Sequence, residues 1–295
     1  MTSSPTDWRA EYPFPDRFLH LDGVRYHYVD LGSGDPLLFV HGNPTWSFAW
    51  RKFITDLSPD YRTIAVDHVG CGLSDKPLDY PYRLDKHIDN LCRLIEKLDL
   101  RKITLVAHDW GGAIGMGAAT RLPDRFSRFV LCNTAAFRSE RIPLRIAVCR
   151  IPLFGPLALR GFNAFSRAAL TMAVSKPQRL TPPVRAGYLA PYDNWRNRQA
   201  VLRFVQDIPL DPTHPSYAVL KQIEDHLHLF QNHPMLLMWG MQDWCFTPHF
   251  LRRFQNYFPQ SETLELPDAS HYLFEDAPEQ LLPRLRQFLT GHPLT

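Results

Sequence analysis

This sequence of 295 residues lacks long apolar runs. A membrane-spanning helix requires about eighteen consecutive apolar residues, and no such run occurs. Residues 1–11 are polar and lack the basic and apolar stretches of a secretory signal. The five cysteines are odd in number and include no C-x-x-C pair, which favours free thiols over disulfides or a metal site. We therefore expect a soluble, cytoplasmic protein without a metal, and we expect no membrane contact.

Concentrated charge of one sign is also scarce. The formal net charge is +3 and the basic residues are scattered, which argues against a nucleic-acid-binding face. The nearest approach to a cluster is the stretch from Arg138 to Arg167, where arginines alternate with Leu144, Ile146, Leu153 and Leu157. We interpret this stretch as solvated faces of amphipathic helices, and a membrane-surface or partner-binding face is the alternative.

Short β-rich runs alternate with helical patterns along most of the chain. This alternation predicts an α/β fold with a mostly parallel central sheet and helices on both faces. A hairpin is expected around Asp22-Gly23, because alternating runs flank this turn signal. The predicted strands are residues 18–22, 24–31, 36–40, 61–66, 103–107, 129–131, 235–239 and 263–266, and the clearest helices are 84–98 and 278–289.

The strand pattern stops over residues 136–231. Prolines divide this stretch, and we expect several short helices that each end at a proline. We therefore predict an α/β core formed by residues 1–135 and 232–295, with a helical cap subdomain at 136–231. The prolines concerned are Pro152, Pro156, Pro177, Pro182, Pro183, Pro191, Pro209, Pro212 and Pro215.

The segment 106–115 carries the strongest chemical signal, because an apolar strand runs directly into a helix of small residues. Asp109 lies at its turn, with Ala107 and Gly111 on either side, which matches the small-x-nucleophile-x-small form of the nucleophile elbow of α/β-hydrolases. A carboxylate can displace a leaving group from saturated carbon and form an alkyl ester, whereas serine attacks an acyl carbon. The alternative role of Asp109 is a helix N-cap.

Residues 41–46 follow the strand that ends at Val40, where this fold places one donor of its anion hole. The second donor is the N–H of Trp110, beside the nucleophile, and Asn43 adds a side-chain amide at the same mouth. Asn43 and Trp110 are therefore our candidate anion-binding residues. As an alternative, Asn43 is a turn former before Pro44.

His271 is the candidate base among the 13 histidines, because it follows the last predicted strand and completes the order nucleophile, acid, histidine. Asp243, after the preceding strand, is our candidate for the acid that orients the imidazole. Asp268 competes for this role but is more readily explained as a residue that braces the turn. Asp67 is interpreted as a structural hydrogen-bonding residue.

With these residues identified, the chain resembles the haloalkane dehalogenases from about residue 14 to 288. Three motifs carry the resemblance, at residues 41–46, 108–112 and 268–272. It implies that Asp109 attacks the carbon bearing the halogen, that His271 activates the water that hydrolyses the ester, and that Asn43 and Trp110 hold the halide. An acid at Asp243 together with an asparagine donor resembles the third subfamily, which contains or closely neighbours the β-lactone decarboxylases of olefin biosynthesis.

Our first interpretation of the function is hydrolytic dehalogenation of haloalkanes to alcohol and halide through an alkyl-aspartate ester. The alternative is a β-lactone decarboxylase that produces long-chain olefins. An epoxide hydrolase, with phenols from Tyr188, Tyr192 or Tyr217, and a non-enzymatic receptor on the same fold are lesser alternatives. The expected partners are a small hydrophobic substrate and a halide ion, with no cofactor. Chain-length preference and assembly into a homo-oligomer stay open.

Overall fold

A computed structural model describes residues 7–294 and shows a central sheet within this part of the chain. Its strands are β1 (Arg17–Leu21), β2 (Val24–Leu31), β3 (Pro36–Val40), β4 (Arg62–Val66), β5 (Ile103–Asp109), β6 (Phe126–Thr134), β7 (Met235–Gly240) and β8 (Glu262–Leu266). They lie in the order β1-β2-β4-β3-β5-β6-β7-β8. The first two pairs, β1–β2 and β2–β4, are antiparallel, and the other five pairs are parallel.

The hairpin forms where the sequence predicts it. Asp22 and Gly23 both have positive φ angles, 51° and 82°, as a tight hairpin turn of the favoured hand requires. Strands β3, β5 and β7 are buried along nearly their whole length, because helices cover both faces of a parallel sheet. The mostly parallel sheet predicted from the alternating pattern is thus confirmed.

Helices of the core are α1 (Arg51–Leu57), α2 (Leu84–Lys97) and α3 (Trp110–Arg121); those of the inserted segment are α4 (Leu144–Val148), α5 (Phe154–Pro156), α6 (Ala164–Met172), α7 (Pro182–Leu189), α8 (Gln199–Gln206) and α9 (Pro215–His226); and the chain ends with α10 (Pro248–Tyr257), α11 (Leu273–Asp276) and α12 (Pro278–Gly291). A π turn at Leu157–Gly161 and short 3₁₀ turns complete the structure. One face of the sheet packs on α2, α3, α9 and α10, and the other on α1, α11 and α12.

The expectation that each short helix of the inserted segment ends at a proline holds for α5, which ends at Pro156, but not for every helix, since α6 ends at Met172 and α9 at His226. Pro182 and Pro215 are the first residues of α7 and α9, and Pro177 begins a 3₁₀ turn. The first N–H groups of a helix have no partner within it, so proline is tolerated there and its fixed φ suits the first turn.

The division of the chain into a core and a separate cap subdomain at residues 136–231 stays a prediction. A small apolar cluster joins its helices α4 and α8 to the π turn, through residues such as Ile146, Leu159 and Val201. Helix α9 behaves differently, because it packs against α2 and α3 and its Leu220 and Ile223 belong to the core beneath the sheet. Helices α4 to α8 are therefore the part of the segment available to cover the site.

Candidate active site

The turn between β5 and α3 holds Asp109 in a strained conformation, with φ 53° and ψ −127°. Space around it is tight, because a Cβ on Gly42 would overlap the Asp109 carboxylate and one on Gly111 would overlap the carbonyl of Val40. Asp109 occupies the N-cap position of α3, but its side chain makes no capping hydrogen bond, and the N–H of the adjacent Trp110 is the α3 donor that faces it. A strained residue of this kind at the end of a strand is typical of a nucleophile elbow.

Two backbone N–H groups face the Asp109 carboxylate. The N–H of Asn43 donates to Oδ1 at 2.7 Å, and the N–H of Trp110 also donates to the carboxyl group. Burial raises the pKa of Asp109, while the charge of His271 and these two N–H groups act in the opposite direction. The donors thus favour a carboxylate in a site that would otherwise favour the acid.

His271 lies between two carboxylates. Its Nδ1 is 2.8 Å from Oδ2 of Asp243, and its Nε2 is 3.7 Å from Oδ2 of Asp109. Burial acts to lower the pKa of His271, but the charge and hydrogen bond of Asp243 and the charge of Asp109 outweigh it and raise this pKa. Asp268 is exposed, whereas Asp243 is buried, so the geometry favours Asp243 as the partner of the imidazole.

Asn133 is a member of the site that the sequence analysis missed. It is the penultimate residue of β6 and has a positive φ of 30°. Its Nδ2 donates to Oδ2 of Asp243 at 3.0 Å, and the N–H of Cys245 donates to Oδ1 of Asp243 at 2.6 Å. The signal available in the sequence was its position, at the end of the strand that precedes the one leading to Asp243. Here that position supports the acid of the next strand.

Asn43 and Trp110 both line the cavity above Asp109. The Asn43 Nδ2 donates to the carbonyl of Val201 in α8 at 3.2 Å, which leaves its second N–H for a ligand. The Trp110 ring packs against Phe204 at 5.4 Å between centroids. The structure brings both residues to the nucleophile, and their anion-binding role stays a prediction.

The three tyrosines of the epoxide alternative lie elsewhere. Tyr188 donates to Oε1 of Glu275 at 2.6 Å, Tyr192 donates to the carbonyl of Thr45 at 3.3 Å, and Tyr217 lies under the Arg138 guanidinium. None of the three lines a cavity at Asp109 in the described part of the chain. The phenols that would polarise an epoxide oxygen are thus not in place.

Two apolar cavities meet at Asp109. The first, called here the inner cavity, runs past Trp110 toward Phe137 and Leu220. The second, called the outer cavity, runs between α4 and α6 toward the surface. Both share the same five lining residues at their junction, which are Asn43, Asp109, Ile146, Phe165 and Cys245.

The family model for the alpha/beta hydrolase fold matches residues 35–278. The chain belongs to this family. Relatives named cis-3-alkyl-4-alkyloxetan-2-one decarboxylase are 43% identical over 284 residues in Shewanella oneidensis, covering 94% of this chain and 89% of the relative, and 41% identical over 293 residues in Xanthomonas campestris, covering 95% and 97%. Haloalkane dehalogenase 2 of Mycobacterium tuberculosis is 32% identical over 273 residues, covering 92% and 93%.

Among solved structures, this α/β-hydrolase is similar to the haloalkane dehalogenase DatA from Agrobacterium tumefaciens C58. The TM-score is 0.86 and the identity 28%, with 95% of this chain and 97% of that chain covered. The resemblance predicted from the three motifs is thereby confirmed, with β-lactone decarboxylases and haloalkane dehalogenases both among the relatives. Relatives with enzymatic activities support an enzyme over a receptor. Because they include both decarboxylases and dehalogenases, they do not decide which reaction this chain catalyses.

Proposed function

We propose that this α/β-hydrolase decarboxylates β-lactones that carry an alkyl chain on each of two neighbouring ring carbons, releasing carbon dioxide and an olefin. The observation that carries the proposal is the pair of apolar cavities that meet at Asp109. A substrate with two apolar chains needs two such spaces, whereas a simple haloalkane needs one. The sequence analysis placed dehalogenation first, and the cavities, together with 43% against 32% identity, reverse that order.

The proposed first step is attack by Asp109 on the ring carbon that bears the lactone oxygen. Oδ1 of Asp109 accepts from the N–H of Asn43, so Oδ2 is the proposed attacking atom. The new bond joins Oδ2 to this saturated carbon, and the carbon–oxygen bond of the ring breaks. Its electron pair goes to the ring oxygen, which becomes part of a carboxylate still bonded to the neighbouring carbon, and we assign the stabilisation of this anion to the second Asn43 N–H and the Trp110 indole N–H.

The proposed second step releases both products. The bond to the carboxylate breaks and yields carbon dioxide, its electron pair forms the carbon–carbon double bond, and the ester bond to Asp109 breaks to regenerate the carboxylate. No water and no base are consumed. Attack from the face opposite the ring oxygen inverts the attacked carbon. Antiperiplanar loss of the ester oxygen and carbon dioxide then leaves two cis alkyl chains cis in the olefin.

The test compares two substrates on one protein. Incubation with a cis-3,4-dialkyl β-lactone should give equal amounts of carbon dioxide and cis-olefin over many turnovers, measured by gas chromatography. Asp109→Asn should abolish this, whereas Asp268→Asn, which removes an exposed carboxylate of the loop that carries His271, should not. Sustained halide release from a 1-haloalkane by a protein that leaves the lactone intact would contradict the proposal.

The second candidate is hydrolytic dehalogenation, favoured by the placing of Asn43 and Trp110 beside Asp109 and by the similarity to DatA. Here the halide leaves to these two donors, and His271 activates the water that cleaves the alkyl ester. Losing one donor costs ~3 kcal/mol, on the order of a hundredfold in rate. Asn43→Ala, which keeps the backbone donor to Asp109, and Trp110→Phe should each slow halide release by this factor if dehalogenation is the reaction.

A further inference from the structure

An unusual share of the exposed apolar surface lies on the inserted segment. Eight of the eleven large apolar side chains that are exposed among residues 7–294 fall between positions 144 and 195. Six of them define what we call the apolar face, namely Leu144, Ile151, Leu153, Phe154, Leu157 and Phe162. Clusters of this kind mark interaction surfaces, whereas single exposed apolar residues are common.

The structure corrects the interpretation of this stretch as amphipathic helices with their apolar sides packed on the protein. Leu144 is 77% exposed and Leu153 is 87% exposed, while of the four apolar residues considered only Ile146 is buried. These leucines stay exposed because α5 and the π turn after it are too short to form an apolar face that packs against the core. Leu153 projects from the turn before α5 with a positive φ of 66°.

Positive charge surrounds the apolar face. Residues 138–206 contain 12 of the 33 basic residues of the chain but only 2 of its 30 acidic residues, so this segment carries +10 and the rest of the chain −7. Arg145 and Arg167 are exposed and form no salt bridge in the described structure. Arg145 instead lies over the ring of Trp244 at 5.3 Å. The stretch that carries the apolar face is thus positively charged, whereas the rest of the chain is negatively charged.

The outer cavity opens within the apolar face. Leu144 and Phe154 are both exposed at the surface and part of the cavity lining, and Met172, 37% exposed, continues the lining beside them. The same cavity reaches Asp109 and His271 at its other end. An apolar path therefore runs from this surface to the nucleophile.

We propose that the apolar face docks on a lipid surface with anionic headgroups and that the outer cavity takes its substrate directly from the lipid. Apolar side chains among arginines are the composition of a surface that rests in the headgroup region of such a membrane. A second copy of the chain fits poorly, because a symmetric dimer would set two segments of +10 against each other. The uptake of substrate from the lipid rests on the proposed function, whereas the docking of the apolar face does not.

No membrane contact was expected from the sequence, and a membrane-surface face at Arg138–Arg167 was only the alternative; the proposal takes up that alternative. No described helix is long and apolar enough to cross a bilayer, and interfacial docking requires no such helix. The exposed apolar side chains of the apolar face are the observation that favours this alternative.

The experiment is vesicle flotation of the full chain, with vesicles of phosphatidylcholine alone or with about one third phosphatidylglycerol. We expect binding to the anionic vesicles at low salt, at least tenfold weaker binding to the neutral ones, and loss at high salt as charges are screened. Absence of binding to anionic vesicles at low salt would overturn the proposal.

Two variants locate the contact. Leu153→Asp/Leu157→Asp removes two apolar residues that do not line the cavity, and should weaken binding about tenfold or more for each leucine. Leu78→Asp/Leu229→Asp is the matched control, because these leucines are 40% and 42% exposed and both lie outside the basic stretch 138–206. Arg145→Gln/Arg167→Gln should also weaken binding, with Arg17→Gln/Lys97→Gln as its control. Equal binding by the first double variant and the wild type would overturn the proposal, as would dissociation of a dimer by that variant in sedimentation velocity.

Substrate loading is tested with a long-chain dialkyl β-lactone offered in anionic vesicles or in detergent micelles. Leu153→Asp/Leu157→Asp should lose at least tenfold in rate on the vesicle-borne lactone and keep its rate in detergent. Equal rates of wild type and variant on vesicles would overturn loading from the lipid. No turnover in detergent by the wild type would contradict the proposed function and leave the vesicle-binding result unaffected.

Discussion

Asp243 controls the protonation of His271. Because folding raises the pKa of His271 above its ordinary value of 6.5, the ion pair stabilises the protein fully below that ordinary pKa, and the contribution is lost as pH rises through the folded pKa. Asp243→Asn should therefore lower the pKa of His271. It should also reduce the free energy of unfolding by roughly 3 kcal/mol at pH 6 and by less at pH 9.

Nuclear magnetic resonance titration of the His271 ring and urea denaturation at both pH values check this prediction. Asp268→Asn, on an exposed carboxylate three residues from His271 in the chain, is the control and should leave both quantities unchanged. A stability difference that grows between pH 6 and pH 9 would have the wrong sign, and would mean that His271 is held neutral.

His271→Phe separates the two candidate reactions, because hydrolysis of an alkyl ester needs a base and the proposed elimination does not. On a haloalkane the variant should release one equivalent of halide and then stop, with a stable adduct on Asp109 visible by mass spectrometry. General-base catalysis contributes about 10²–10⁴-fold, enough to make hydrolysis of the ester the slow step. On a dialkyl β-lactone the same variant should continue through many turnovers.

Either result of the lactone assay is informative. An adduct on Asp109 that accumulates with the lactone would show that His271 takes part in breaking the ester, against the elimination proposed above. Complete loss of the first equivalent with both substrates, in a folded variant, would mean that alkylation of Asp109 itself depends on His271.

The two glycines around Asp109 show how closely neighbouring elements approach at the elbow. A methyl group on Gly42 would overlap the Asp109 carboxylate, and the cost of such overpacking is about 1–3 kcal/mol. Gly42→Ala should therefore lower the free energy of unfolding by this amount and reduce activity at least a hundredfold. Gly291→Ala is the matched control, since no atom lies within 4 Å of the added methyl; equal effects of the two changes on activity would contradict the steric explanation.

Strands and the site that follows them could be predicted because their signals are local. Apolar runs located all eight strands, and the order of Asp109, Asp243 and His271 along the chain matched the geometry later found. Strand β5 extends to Asp109, two residues beyond the predicted end. The prediction stopped early because His108 and Asp109 are polar, although both are buried. Asn133 escaped notice because its role depends on Asp243, 110 residues away in the chain.

The inserted segment could be predicted as helical but not as a surface. Helical periodicity and proline spacing concern neighbours in sequence, whereas the exposure of Leu144 and Leu153 depends on how short helices pack on one another. The two cavities have the same origin, because their walls come from α3, α4, α6, α8 and α10 together. No run of residues carries the signal for a space formed between distant elements.

Under the proposed function, each of the two cavities that meet at Asp109 takes one alkyl chain, and each cavity can be narrowed alone. Ala168 lines only the outer cavity and Ile142 only the inner one. Ala168→Trp should therefore exclude lactones with a long chain on one ring carbon, and Ile142→Trp those with a long chain on the other. Measurement of kcat/KM with a series of lactones, each with one short and one long chain, checks this.

Each lost methylene contact in such a series is worth about 0.8 kcal/mol of burial, or roughly fourfold in kcat/KM. A chain shortened by four methylenes should thus fit past the new ring and regain the wild-type rate on that side only. The two variants serve as controls for each other, because each leaves the opposite cavity unchanged. If both moved the same chain-length limit, the two chains would share one cavity, and the argument from paired cavities to a two-chain substrate would fail.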